Sequence, residues 1–160
     1  KIKNRNNGFR RFKMNIDRNK NEFTEDKILW TNIAEASSFD KQQQQVFNVN
    51  RNEILVLKID QEYKAIQSRC PHAGLSMKGS PLNLENDSII CKWHNSSFCY
   101  KTGDVQKWVD VSPFQKKIAY FLARFSKKMK EMTEMEPSSI ETFKTQVIEN
   151  NVWVGISIGD

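Results

Sequence analysis

The sequence predicts an all-β fold, a small antiparallel sandwich or barrel, with one amphipathic α-helix inserted at about 113–136. Three observations lead there. Short runs rich in β-branched and aromatic residues recur along the chain, separated by Gly, Asn and Asp turns. Several runs alternate apolar and polar residues, as a strand with one buried face does. One stretch, opened by Ser112-Pro113, switches to helical apolar spacing.

In chain order, 27–33 (KILWTNI) reads as a first strand, followed by turn and helix-start residues at 34–39. The glutamine run 42–45 reads as a loop leading to an exposed strand, and 46–49 alternates as a half-buried strand. Runs 53–59 and 63–67 flank a turn at 60–62, a hairpin that delivers the chain to Cys70. Gly79-Ser80-Pro81 is a turn, Leu84 belongs to a short strand, and 88–90 is a strand entering Cys91. Residues 97–100 run out again, 101–104 turn, and 105–109 return. A last hairpin pairs 143–147 with 152–156 around Glu149-Asn150-Asn151.

The helix begins with Ser112 as N-cap, Pro113 in the first helical position and Gln115 completing a capping box. Phe114, Ile118, Phe121, Leu122, Phe125, Met129 and Met132 form one apolar stripe, and Lys116, Lys117, Arg124, Lys127, Lys128 and Lys130 take the other side. Pro137 ends it. The expected fate of the stripe is packing against its own β-domain; docking on a larger assembly or lying on a membrane surface are the alternatives.

At 160 residues the chain is one domain with some length to spare. Charged residues at 28% and hydrophobics at 38% are ordinary for a globular domain, which excludes a disordered or fibrous class. No apolar run approaches the length of a transmembrane segment, and no hydrophobic signal segment opens the chain. The missing initial Met points to an N-terminal piece cleaved or absent from the sequence. The net charge of +6 is uneven, since residues 1–20 carry eight Lys/Arg and one acid, Asp17. This divides the chain into a basic extension, 1–25, and a domain, 26–160. Such an extension is solvated, or docks on an acidic protein surface or anionic lipid. No nucleic-acid partner is expected, because no binding motif accompanies Phe9 to Phe12.

The chemistry lies in Cys70-Pro71-His72-Ala73-Gly74-Leu75 and Cys91-Lys92-Trp93-His94, which hold both histidines and two of the three cysteines. Thiolate and imidazole together suit zinc or an iron–sulfur cluster. Zinc sites prefer like residues in pairs, whereas each half here mixes one Cys with one His across a long gap. That interleaving suits a 2Fe-2S cluster with Cys70 and Cys91 on one iron and His72 and His94 on the other. The leftover Cys99 makes no disulfide framework and points to a reducing compartment.

C-P-H-A-G-L, C-K-W-H and the Thr102-Gly103 turn, in this order and spacing, resemble Rieske ferredoxin-type proteins over roughly 29–158. The resemblance implies a small β-domain with one Rieske-type 2Fe-2S cluster at the tip of two loops. It implies ligands Cys70, His72, Cys91 and His94, with both histidines at the solvent-facing end. The family has only a short link where the helix stands, so the helix is an insertion. Trp93 is expected to pack over the cluster. Rieske subunits of cytochrome bc complexes carry an extra cysteine in each loop; here Leu75 and Trp93 hold those places and no bridge can form. Ser96 stands where those subunits place a hydroxyl that bonds a cluster sulfide, and Phe98 where they place a tyrosine. Cys99, where an Asp is common, is expected to be a small buried residue.

With both histidines committed to the cluster, none remain for a 2-His-1-carboxylate iron site, so a self-contained oxygenase is excluded. The expectation is an electron carrier rather than an enzyme, passing single electrons between a reductase and an acceptor. Two alternatives stand beside it: a partner like the nitrite reductase small subunit, and an accessory subunit of a large organellar membrane complex, docked by the basic extension and the helix. The expected compartment is a reducing organelle interior, a mitochondrion before a plastid, with the cytoplasm open.

Overall fold

The computed structural model describes residues 22–158. The elements are β1 (Glu22–Glu25), β2 (Ile28–Glu35), α1 (Ser38–Lys41), β3 (Gln44–Val49), β4 (Asn52–Ile59), β5 (Glu62–Gln67), β6 (Leu82–Asn83) and β7 (Ser88–Ile90). They continue with β8 (Ser97–Cys99), β9 (Val105–Lys107), α2 (Pro113–Ala123), α3 (Lys127–Thr133), β10 (Thr142–Ile148) and β11 (Asn151–Ser157). A curled seven-stranded sheet runs β1-β2-β11-β10-β5-β4-β3, and a four-stranded sheet runs β6-β7-β8-β9. The pairings are antiparallel.

Local chemistry sets the hairpins. Asp26-Lys27, Asn50-Arg51 and Glu149-Asn150 each place two residues at positive φ between strands. Such two-residue turns match the right-handed strand twist. β4 is apolar on both faces and buried on both. Leu55 and Leu57 face a core shared with Ile89, Phe98, Cys70 and Cys91, whereas Ile54 and Val56 face a core with Phe39, Val152 and Val154. Burying each of these four β4 side chains is worth roughly 1.5–3 kcal/mol. The first core therefore clamps the small sheet, with both candidate loops, against the large one.

Three expectations need correction. The extension does not reach residue 25: β1 pairs with β2, and Phe23 is buried against Trp30 and Trp153. The sequence signal was an apolar residue amid charges, too short to read alone. The basic residues 1–20 themselves lie outside the described residues.

The insertion is two helices, not one. The capping box at Ser112 forms as expected, with Gln115 N–H donating to Ser112 Oγ at 3.2 Å and Ser112 N–H to Gln115 Oε1 at 2.9 Å. The chain then turns at Arg124 and Phe125, and Ser126 stands at the N-cap position of α3, where a Ser is favoured.

The apolar stripe is not buried on the β-domain. No residue of α2 is buried, and Phe114, Ile118, Phe121, Leu122 and Phe125 are exposed. The half-buried positions of α2 are Ala119 and Ala123, on the other side, and α2 packs chiefly on α3. Met132 of α3 is half-buried on the inner side, beside His72.

Candidate metal centre

Both candidate loops have the same backbone design. In the first, Cys70 N–H donates to Leu75 O at 2.9 Å and Gly74 N–H to Cys70 O at 2.8 Å. In the second, Cys91 N–H donates to Ser96 O at 2.7 Å and Asn95 N–H to Cys91 O at 3.0 Å. The fourth residue after each cysteine takes a left-handed conformation, Gly74 with φ 67° and Asn95 with φ 57°. Gly and Asn are the residues that adopt it most readily.

Outer contacts hold the loops in register. Arg69 donates to Glu53 Oε2 at 2.9 Å and to Gly74 O at 3.0 Å, bracing the first loop from β4. Gln44 on β3 accepts from Gly79 N–H at 2.8 Å and donates to Ser80 O at 2.9 Å, and Lys92 N–H donates to Ser80 Oγ at 3.3 Å. Asn95 donates to Asp110 O at 2.9 Å while Asp110 N–H donates to His94 O at 2.8 Å.

The four candidate side chains come together as two like pairs. His72 Nδ1 and His94 Nδ1 stand 3.2 Å apart with rings nearly perpendicular, 89°. The Cys70 and Cys91 thiols interact with each other. That contact pushes Cys70 far up, aided by burial, and brings Cys91 down to about 6, aided by the N–H groups of Trp93 and His94. The N–H groups of His72 and Ala73 face the Cys70 sulfur in the same way. Burial holds the His72 imidazole below its ordinary pKa, and the His94 charge adds to this; the Met132 carbonyl, accepting from the ring, opposes it.

Two thiols beside two imidazoles suit a two-iron group. Ser96 supports the fit: its Oγ is fully buried and has no hydrogen-bond partner in the protein. Phe98 is also fully buried, in the core beneath.

Several site residues escaped the sequence. Trp108, read as part of a strand, lies beyond β9; its ring meets His72 edge-on at 5.8 Å and its N–H donates to Met135 O at 3.2 Å. The expected cover, Trp93, is instead half exposed, and its N–H ties the second loop to Ser76 O at 3.1 Å. Cys99 is half-buried rather than enclosed. The insertion stands over the imidazoles, a placement that the sequence does not mark. A 420 Å³ cavity lies between His72, His94 and Trp108 on one side and Gln115 and Tyr120 on the other, with Met132 also in its wall. His72 is only 8% exposed, and His94 is the more open ring.

Comparison with known proteins gives a consistent result. The model of the family described as "Rieske [2Fe-2S] domain" matches residues 29–144. The fold is similar to that of a ferredoxin of carbazole 1,9a-dioxygenase from Nocardioides aromaticivorans, with 16% identity and TM-score 0.57, covering 78% of this chain and 95% of that one. A putative nitrite reductase NADPH small subunit gives 12% identity and TM-score 0.55, covering 78% and 96%. A structure of the reduced complex between oxygenase and ferredoxin in carbazole 1,9a-dioxygenase gives 14% identity and TM-score 0.56, covering 82% of this chain but 29% of the matched one.

Proposed function

The chain belongs to the Rieske 2Fe-2S family, and from that premise we propose that it is a one-electron carrier of ferredoxin type. It takes an electron from a reductase and passes it to an acceptor protein. Cys70 and Cys91 hold one iron of the cluster, and His72 and His94 hold the other. The observation that carries the assignment is the pairing of like donors, with the two imidazole Nδ1 atoms 3.2 Å apart. The complex of oxygenase and ferredoxin in carbazole 1,9a-dioxygenase supports protein redox partners for a chain of this fold.

When bound, the cluster supplies a reversible one-electron couple, at a potential raised by histidine ligation. The protein's own residues do the rest. Both sulfurs sit among backbone N–H groups, which favour thiolates over thiols. Cys70, Cys91 and Phe98 are buried in one core, which keeps water from the sulfur side of the centre. His72 is held by Met132 and Trp108, so the more open His94 is the side from which a partner approaches.

Iron and sulfide analysis tests this. The protein binds about two irons and two sulfides per chain. Cys70→Ala, His72→Ala, Cys91→Ala and His94→Ala each lose them, and Cys99→Ala keeps them. A colourless protein with one zinc refutes the assignment.

A further inference from the structure

The outer face of α2 lies outside the cavity in front of His72 and His94. Phe114 is 71% exposed, Phe121 59%, Phe125 76%, and Ile118 and Leu122 43% each. Phe114, Ile118, Phe121 and Leu122 lie in one stripe about 100° wide at the helical repeat, and Phe125 follows in the turn after α2. Phe121 and Phe125 meet edge to face at 5.3 Å, so the patch is continuous. A contiguous apolar patch of this kind marks an interaction site.

Charge says which partner fits. Residues 113–133 hold six basic residues and one acid, Glu131, and α2 itself holds no acid. Lys117 and Arg124 flank the stripe, and Lys127 and Lys128 follow it at the start of α3. A second copy would bring the same positive charge against it. An anionic partner is required. Five of the six basic residues are Lys, a residue depleted in protein–protein interfaces but suited to membrane surfaces, where its stem lies along the apolar boundary and its ammonium reaches the headgroups. Residues 1–20 add charge of the same sign. None of the described helices is long and apolar enough to cross a bilayer, so contact is along the surface.

We infer that the Phe114–Phe125 stripe of α2 is a docking surface for a bilayer bearing anionic lipid, with Phe114, Ile118, Phe121, Leu122 and Phe125 entering the interface and the surrounding Lys/Arg residues pairing with headgroups. The opposite side of α2 lines the cavity in front of His72 and His94 with Gln115 and Tyr120. One helix thus meets the membrane with one face and the centre with the other. The inference does not depend on which metal group the centre holds.

The test is cosedimentation of the full chain with vesicles of equimolar phosphatidylserine and phosphatidylcholine, against vesicles of phosphatidylcholine alone. The wild type sediments with the anionic vesicles. The Phe121→Ser, Phe125→Ser double variant binds at least tenfold more weakly, since two aromatic side chains no longer enter the interface. The Lys127→Glu, Lys128→Glu variant also weakens binding at least tenfold on anionic vesicles and leaves the weak binding to phosphatidylcholine unchanged. Both variants alter exposed side chains, so their melting curves match the wild type and loss of fold is not the cause. Residues 1–20 are intact in all three proteins, so equal binding by all three assigns adsorption to the extension and overturns the proposal. A wild type that stays in the supernatant overturns it too, and leaves the stripe to a protein partner. Dimerisation lost in the Phe variant, without vesicle binding, overturns it in favour of a second copy.

Discussion

Replacing Ser96 by Ala separates the protein with its cluster from the protein without it, because the same change acts with opposite sign in the two. Ser96 Oγ is fully buried and no protein group accepts from or donates to it. A buried hydroxyl left without a partner costs roughly 1–3 kcal/mol. In the iron-free protein the variant therefore gains stability, about 2–4 °C in melting temperature per kcal/mol for a chain of this size. In the loaded protein that hydroxyl would donate to a cluster sulfide, where reduction would add one negative charge. A hydrogen bond to a charged acceptor is worth about 1.5–3 kcal/mol against 0.5–1.5 for a neutral one, so the bond favours the reduced state by about 1 kcal/mol. At 59 mV per tenfold change for one electron, the variant's potential falls by about 40 mV. Voltammetry of the loaded proteins and melts of the iron-free ones read the two effects. An unchanged potential, or an iron-free variant that melts below the wild type, refutes the placement of that hydroxyl.

Gly103→Ala lowers stability by more than about 2 kcal/mol, read as a fall in the urea midpoint: its φ is 85° and a Cβ there would run into the Ile140 carbonyl oxygen. A variant as stable as the wild type would show that the return of the insertion is not held at this glycine. Asp87→Asn concerns acid. Lys101, then Tyr100, hydrogen-bond to the Asp87 carboxylate and hold its pKa below 3.8, so its contribution is present above that value and fades as pH falls through the lower, folded value. The melting-temperature gap between wild type and Asp87→Asn is therefore largest near neutral pH and closes below about pH 4; a gap that persists in strong acid contradicts this.

The strands around the centre were legible because their signals are local. The apolar runs of β4 and β11 and the turn residues between hairpins carry their information within a few positions. The four candidate side chains were legible because two histidines and two cysteines share two short stretches. What stayed hidden depends on contacts across long separations. Gln44 sits in a glutamine run, and only the fold brings it to Ser80. Trp108 gains its role only when the chain returns with Met135. The helix stripe was visible, but its direction was not: periodicity shows that one face differs from the other, not which face has a neighbour.

The matched hydrogen bonds of the two loops bear on how fast an electron can pass. Each loop is closed by its own backbone, with Cys70 bound to Leu75 and Cys91 to Ser96. None of those bonds uses a metal ligand's side chain. The donors are thus poised by peptide geometry rather than by the charge of what they hold. A frame closed in this way would move little when a bound cluster gained one electron, which would keep the reorganisation energy low. Two short loops of repeated design, each closed by its own backbone, frame the centre.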